Sequence, residues 1–257
     1  MRTNHLLEGP AGAPVVTLSH ALGATLALWD ATAAALIPRF RVLRYDVRGH
    51  GGSDVPPGPY TLPQLADDVA ALLRAQGIAR THFVGMSMGG LIGMTFALRH
   101  PALTQSLTLC DTTACYGPAM APMWEDRIRV AETAGMTDAL IERTMEIWFS
   151  PEFLEKGKAV VDRVRAMLRG TNPRGYAAAI RAIGFVDLRQ AIQAIRCPTL
   201  VVVGEQDGGT SPAMASVIAS AIPGARLEVL EGARHAAVVE RADDFNHLLG
   251  DFVAAAS

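Results

Sequence analysis

Gly85-Met86-Ser87-Met88-Gly89 sets a serine between two glycines, each two residues away. That is the spacing of a nucleophile elbow, a sharp turn from strand to helix that lifts a serine hydroxyl clear of a sheet. Small residues are needed at both flanks because the turn packs them too closely for a Cβ. Thr81-His82-Phe83-Val84 ahead of it reads as a strand and Gly89–Arg99 after it as a helix, so the context fits. The start of that helix also offers N–H groups to negative charge developing beside Ser87.

A serine hydroxyl is a poor nucleophile until a base takes its proton. With this elbow the partners are expected in the order serine, acid, histidine. Of seven histidines only His235 and His247 lie late enough, and His247 falls inside a predicted helix. His235 lies in a loop after a strand, from which it can reach back over Ser87, and is the expected base. Asp207, at the end of the apolar run Leu200–Gly204 and before Gly208-Gly209, is the favoured acid. It would hold the imidazole in one tautomer. Glu205 is its local rival and Asp111, one strand earlier, its remote rival. Two N–H groups should converge on an oxyanion. Met88, next after the nucleophile, supplies one. Leu22, in His20-Ala21-Leu22-Gly23, supplies the other, with Gly23 allowing the chain to turn.

These groups need a scaffold. Val15–Ser19, Arg41–Tyr45, His82–Val84, Ser106–Leu109, Thr199–Val203 and Arg226–Leu230 read as short strands. Leu62–Gln76, Gly89–Arg99 and Ala242–Val253 read as helices, the first with apolar residues at helical spacing and Gly77 as its stop. Uninterrupted apolar strands alternating with helices predict an α/β fold with a mostly parallel sheet covered on both faces. From Tyr116 to Val186 no strand is evident, and Trp124–Ala134, Met136–Phe149 and Ala159–Arg169 read as helices. The expected organisation is a core of residues 1–115 and 187–257 with an inserted helical cap, 116–186.

Half of the 257 residues are hydrophobic and the net charge is -2. A chain of this size buries roughly 70–75% of its unfolded surface, so no disulfide staples are required. No basic stripe suggests nucleic acid, and no polybasic patch suggests a membrane. Cys110, Cys115 and Cys197 are odd in number and lack C-x-x-C spacing, which argues against a disulfide framework or zinc. Met1–Pro10 lacks a signal-peptide pattern, and the longest apolar stretch, Phe83–Leu98, is short of a span and broken by glycines. The expectation is a cytoplasmic protein that uses no metal or organic cofactor, its partners being a small-molecule substrate and water. Its oligomeric state is not legible.

With the elbow, Asp207 and His235 in order, the chain resembles the α/β-hydrolase superfamily over nearly its whole length. Tyr45-Asp46-Val47-Arg48-Gly49-His50-Gly51-Gly52-Ser53-Asp54 looks like the glycine-rich turn after an early strand in that superfamily, where its role is structural. More narrowly, RVLRYDVRGHGGSDVPPGPYTLPQLADDV, VGMSMGGLIG, MWEDRIRV, WFSPEF and GYAAAI resemble the 3-oxoadipate enol-lactonase branch. The resemblance implies hydrolysis of an enol-lactone, or of carboxylic esters more generally. That branch usually shows Asn-Ser-Leu-Gly after the early strand. Here His20-Ala21-Leu22-Gly23 looks closer to the His-Gly-x-Gly of general esterases, which changes the pocket edge at His20.

The expected pocket wall is apolar: Leu22, Met86 and Met88, with Trp124, Met145, Trp148 and Phe149 from the cap. Arg127, one helical turn after Trp124, could face the same pocket and meet a carboxylate. The same triad would also serve a carbon–carbon bond hydrolase or a cofactor-free perhydrolase. A ligand-binding module without turnover is the reading from another class, and the intact set of three residues speaks against it.

Overall fold

The computed structural model describes residues 1–257. In chain order the strands are β1 (His5–Glu8), β2 (Val15–Ser19), β3 (Arg41–Tyr45), β4 (Thr81–Met86), β5 (Thr104–Cys110), β6 (Thr199–Gly204) and β7 (Arg226–Leu230). The helices are α1 (Asp30–Leu36), α2 (Leu62–Ala75), α3 (Met88–Arg99), α4 (Ala121–Ala134), α5 (Asp138–Trp148), α6 (Pro151–Lys156), α7 (Lys158–Gly170), α8 (Pro173–Ile183), α9 (Pro212–Ala221), α10 (Ala237–Glu240) and α11 (Ala242–Ala255).

The strands form one sheet in the order β1-β3-β2-β4-β5-β6-β7. Only β1 runs antiparallel, against β3. Because side chains alternate along a strand, each continuous apolar run feeds two cores. Val201 and Val203 of β6 join one, with Phe83 of β4 and α2, α3 and α9. Leu200 and Val202 join the other, with Val84 and Met86 of β4 and α1 and α11. α3 lies in the first core, and Met88 to Ala97 are all buried; it has no polar face because it has no wet one. Thr61 caps α2 by accepting the Gln64 N–H, and Gly77 ends the segment at φ 66°.

Between β5 and β6 the chain forms five helices, α4 to α8, and no strand. α4 and α8 pack into the first core, α5 and α7 into the second. The two ends of this segment meet: Cys115 bridges to Asp187, and the Leu188 N–H donates to the Ala114 carbonyl at 2.8 Å. No helix is long and apolar enough to cross a membrane.

The strand register does the positioning. Ser19 lies beside Gly85, Met86 beside Cys110, Cys110 beside Val202, and Gly204 beside Leu230. The carboxyl ends of five neighbouring strands therefore open onto one edge, where ligands of open α/β sheets bind. Leu22, Ser87, Asp111, Asp207 and His235 all follow those ends.

Candidate active site

The turn at Ser87 is as tight as its glycines suggest. Ser87 has φ 54° and ψ -112°, a conformation rare for any side-chain-bearing residue. A Cβ on Gly85 would lie 2.1 Å from the Gly89 carbonyl oxygen, and one on Gly89 would lie 2.1 Å from that of Ser19. The Ser87 N–H donates to the Cys110 carbonyl at 2.9 Å, while the Ser87 carbonyl accepts from Gly90 and Leu91. The side chain is left free to face the strand edge.

There it meets the two residues expected from the sequence. Ser87 Oγ lies 3.0 Å from His235 Nε2, and His235 Nδ1 lies 2.9 Å from Asp207 Oδ2. Asp207 is ionised and can only accept, so Nδ1 carries the proton and Nε2 is free to accept from Ser87. The other Asp207 oxygen accepts the N–H groups of Gly209 at 2.7 Å and Thr210 at 2.9 Å, and Thr210 Oγ1 donates to Oδ2 at 2.7 Å. Burial alone would raise the pKa of this carboxyl. Attraction to His235 and the hydrogen bonds from His235 and Thr210 outweigh it and bring the pKa down to about 2.

This has a consequence for acid stability. The folded pKa lies below the unfolded value of 3.8, so the unfolded chain binds more protons in acid. The ionised carboxylate thus stabilises the fold by about 2 kcal/mol above about pH 4, and this is lost as pH falls through about 2. In urea titrations across that window, the parent should lose about that much more stability than Asp207→Asn. Parallel acid limbs for the two proteins would refute it.

The rivals are occupied elsewhere. Glu205 accepts the Gly232 N–H at 2.9 Å. Asp111 accepts two backbone N–H groups, and His247 pairs with Asp251 on an exposed face. The N–H groups of Leu22 and Met88 have no hydrogen-bond acceptor within the protein. Met88 is the first residue of α3, where an unpaired N–H is intrinsic to the helix start.

A cavity of about 180 Å³ opens over Ser87 and His235. Leu22, Trp124, Arg127 and Trp148 line it, as expected. The Trp148 ring lies 6.2 Å from that of His235, centroid to centroid. Five expected wall residues do not belong to it. Met145 faces inward from α5 and is packed with Ile141, Val161 and Val164; the helix turns its Thr144 and Ile147 to the cavity instead. His20 is fully buried, bonded through Nδ1 to the Ala21 carbonyl at 2.8 Å, and its Nε2 accepts the Val47 N–H at 2.9 Å. It fixes the Leu22 loop to the β3 loop rather than meeting a ligand, and burial pushes its pKa down. The side chains of Met86, Met88 and Phe149 are likewise core.

Met120, Met123, Tyr116 and Arg143 are wall residues that sequence reading passed over. Arg127 donates to the Tyr176 hydroxyl at 3.2 Å, with its guanidinium 5.7 Å from the centroid of the Trp124 ring. No ion pair in the chain involves either cavity arginine. The histidine loop is also tied to the end of α5. The Ala236 N–H donates to the Trp148 carbonyl at 2.9 Å, and Arg234 Nη1 to the Glu146 carbonyl at 2.7 Å. Glu240 accepts from the Arg234 N–H at 3.0 Å and from the Ser150 hydroxyl.

A family model described as the alpha/beta hydrolase fold matches residues 14–242. The chain belongs to this family. The α/β hydrolase is 35% identical over 244 residues to 3-oxoadipate enol-lactonase 2 of Acinetobacter baylyi, covering 95% of this chain and 90% of that one. Among solved structures, the enol-lactonase from Burkholderia xenovorans LB400 superposes with TM-score 0.94 at 39% identity, over 98% of this chain and 96% of that one. A thermophilic esterase from Thermogutta terrifontis, with malate bound, gives TM-score 0.92 at 27% identity, over 99% and 93%.

Proposed function

We propose that this α/β hydrolase cleaves its substrate by acyl transfer to Ser87, with His235 as base, Asp207 orienting it, and the Met88 and Leu22 N–H groups holding the oxyanion. The chain is a carboxylic ester hydrolase in the broad sense that includes lactones. The observation that carries the assignment is the unbroken line of hydrogen bonds from Ser87 Oγ through the imidazole to Asp207, at 3.0 and 2.9 Å.

Ser87 Oγ bonds to the carbonyl carbon as its proton passes to His235 Nε2, and Asp207 stabilises the resulting imidazolium. The carbonyl oxygen, now negative, faces the two free N–H groups. Collapse breaks the bond to the leaving oxygen, which takes the proton from Nε2. A water then gives its proton to Nε2 and its oxygen to the acyl carbon, and Ser87 recovers the proton as the acid departs. With a lactone the leaving oxygen stays on the same molecule, so one ring-opened acid results.

The narrower reading is a small lactone or ester bearing its own carboxylate, as the enol-lactonase relatives suggest. Arg127 and Arg143 line the cavity without an acidic partner, and so leave charge available to a substrate. Carbon–carbon hydrolysis and perhydrolysis are not favoured. Residues 116–186 act as a cap on a core of 1–115 and 187–257; the pairing of Cys115 with Asp187 at the two ends of the insertion supports this division. The three free thiols suit a reducing compartment, and we assign the enzyme to the cytoplasm.

Turnover of an enol-lactone, measured beside neutral esters of similar size, tests the narrower reading. Arg127→Met and Arg143→Met should each raise KM for the carboxylate-bearing lactone about tenfold or more, the value of one charge-assisted hydrogen bond. KM for p-nitrophenyl acetate should move less than about twofold, because it presents no charge. Equal effects on both substrates would count against an anionic substrate and leave a general esterase.

A further inference from the structure

Asp111 leaves β5 with φ 43°, and apart from Ser87 it is the only non-glycine residue with positive φ. Its side chain is fully buried, and each carboxyl oxygen accepts one backbone N–H: Oδ1 from Gly204 at 2.9 Å, Oδ2 from Ala237 at 3.1 Å. Gly204 ends β6, three residues before Asp207, and Ala237 lies two residues after His235. One carboxyl thus bridges the two loops that bring the acid and the base.

Its neighbours in sequence reach the third member. The Cys110 carbonyl accepts the Ser87 N–H at 2.9 Å, and Thr112 Oγ1 donates to the Ser87 carbonyl at 2.7 Å. The Asp111 N–H itself donates to the Val202 carbonyl at 2.9 Å, which locks the tripeptide to β6.

We propose that Asp111, with Thr112 beside it, is the positioning residue of the triad, fixing the spacing of the Asp207 loop, the His235 loop and the Ser87 turn from one point. It rests on the triad assignment given above. A buried carboxyl is costly in an apolar interior unless its oxygens are satisfied. Here they are satisfied only by these two loops. Burial and the charge of Asp207 push its pKa well up, as expected where two acids share one interior. Neither oxygen bonds to the imidazole, so the role differs from that of Asp207.

In Asp111→Asn the shape is kept, but an NH2 group faces one of the two N–H donors, so one tether becomes a repulsion. The triad then loses alignment in its two bonds, and a misplacement near 1 Å costs about a hundredfold in rate. The expected result is kcat lower by about tenfold to a hundredfold, with KM within about twofold. The low-field proton resonance of His235 Nδ1–H should broaden or move upfield in the same variant. Thr112→Val, which removes only the bond to the Ser87 carbonyl, should lower kcat about threefold to tenfold at unchanged KM.

A folded Asp111→Asn with parent kcat and an unmoved resonance overturns the proposal, as does a change in KM alone. If that variant gives no cooperative melt, Thr112→Val decides, and parent kcat there overturns it. Activity that survives Ser87→Ala would remove the triad assignment instead. An inert Ser87→Ala beside an unimpaired Asp111→Asn would remove only this inference.

Discussion

Ser87→Ala should lower kcat for short p-nitrophenyl esters by about 10⁴-fold or more, leaving only what substrate binding and the oxyanion donors supply. The effect is large because no second nucleophile stands ready: Ser87 Oγ is the only hydroxyl bonded to His235 Nε2. The fold should be spared. The lost oxygen bonds to His235, with the buried Tyr116 hydroxyl also close to it, and alanine brings no bulk into the space between Gly85 and Gly89. Steady-state kinetics with a thermal melt on the same preparation check both halves. A variant that turns over within about tenfold of the parent would move the nucleophile elsewhere.

Asp207→Asn should come next, at about 10⁴-fold in kcat, and the reason is a tautomer. Oδ1 accepts two N–H groups, from Gly209 and Thr210, so the amide oxygen must take that place. The amide NH2 then replaces Oδ2 and donates toward Nδ1, which forces the imidazole proton onto Nε2. A protonated Nε2 cannot receive the proton of Ser87. Asp111→Asn, two to three orders of magnitude milder, makes the contrast measurable in one series at one pH. If Asp111→Asn proves the more damaging of the two for kcat, the acid is at position 111.

Much of this was legible because the chemistry is written in local signals. The glycines around Ser87, the apolar run before Asp207 and the loop after β7 each identify a strand end. Parallel strands with matched registers then bring such ends together. β2, β3 and β7 fall where the pattern places them. β1 is missed because four residues with alternate half-exposure carry little signal, and its pairing with β3 is what makes it a strand. α8 has a strong start, Asn172 followed by Pro173, that the reading passed by.

The wall of the cavity was less legible, for a geometric reason. Residue type says that Met145 and Trp148 are apolar, but not which faces in. The phase of α5 against its neighbours sends Met145 to the core and leaves Trp148 and Ile147 on the wall. His20 had the look of a pocket residue because a ring beside an oxyanion loop suggests contact, yet both its nitrogens are spent on backbone. Asp111 was a rival acid by position alone. Its partners are main-chain N–H groups 93 and 126 residues further on, and a backbone N–H leaves no mark on a sequence.

The fastening of the histidine loop to the end of α5 has a bearing on how this scaffold can be altered. The indole of Trp148 and the seat of the imidazole share one framework, since the residues on either side of His235 grip the backbone of 146 to 149. Enlarging the chamber from that flank trades room for a loosened base. The thioethers of Met120 and Met123 carry no such duty, and they are where evolution or an engineer could reshape selectivity at least expense to the chemistry.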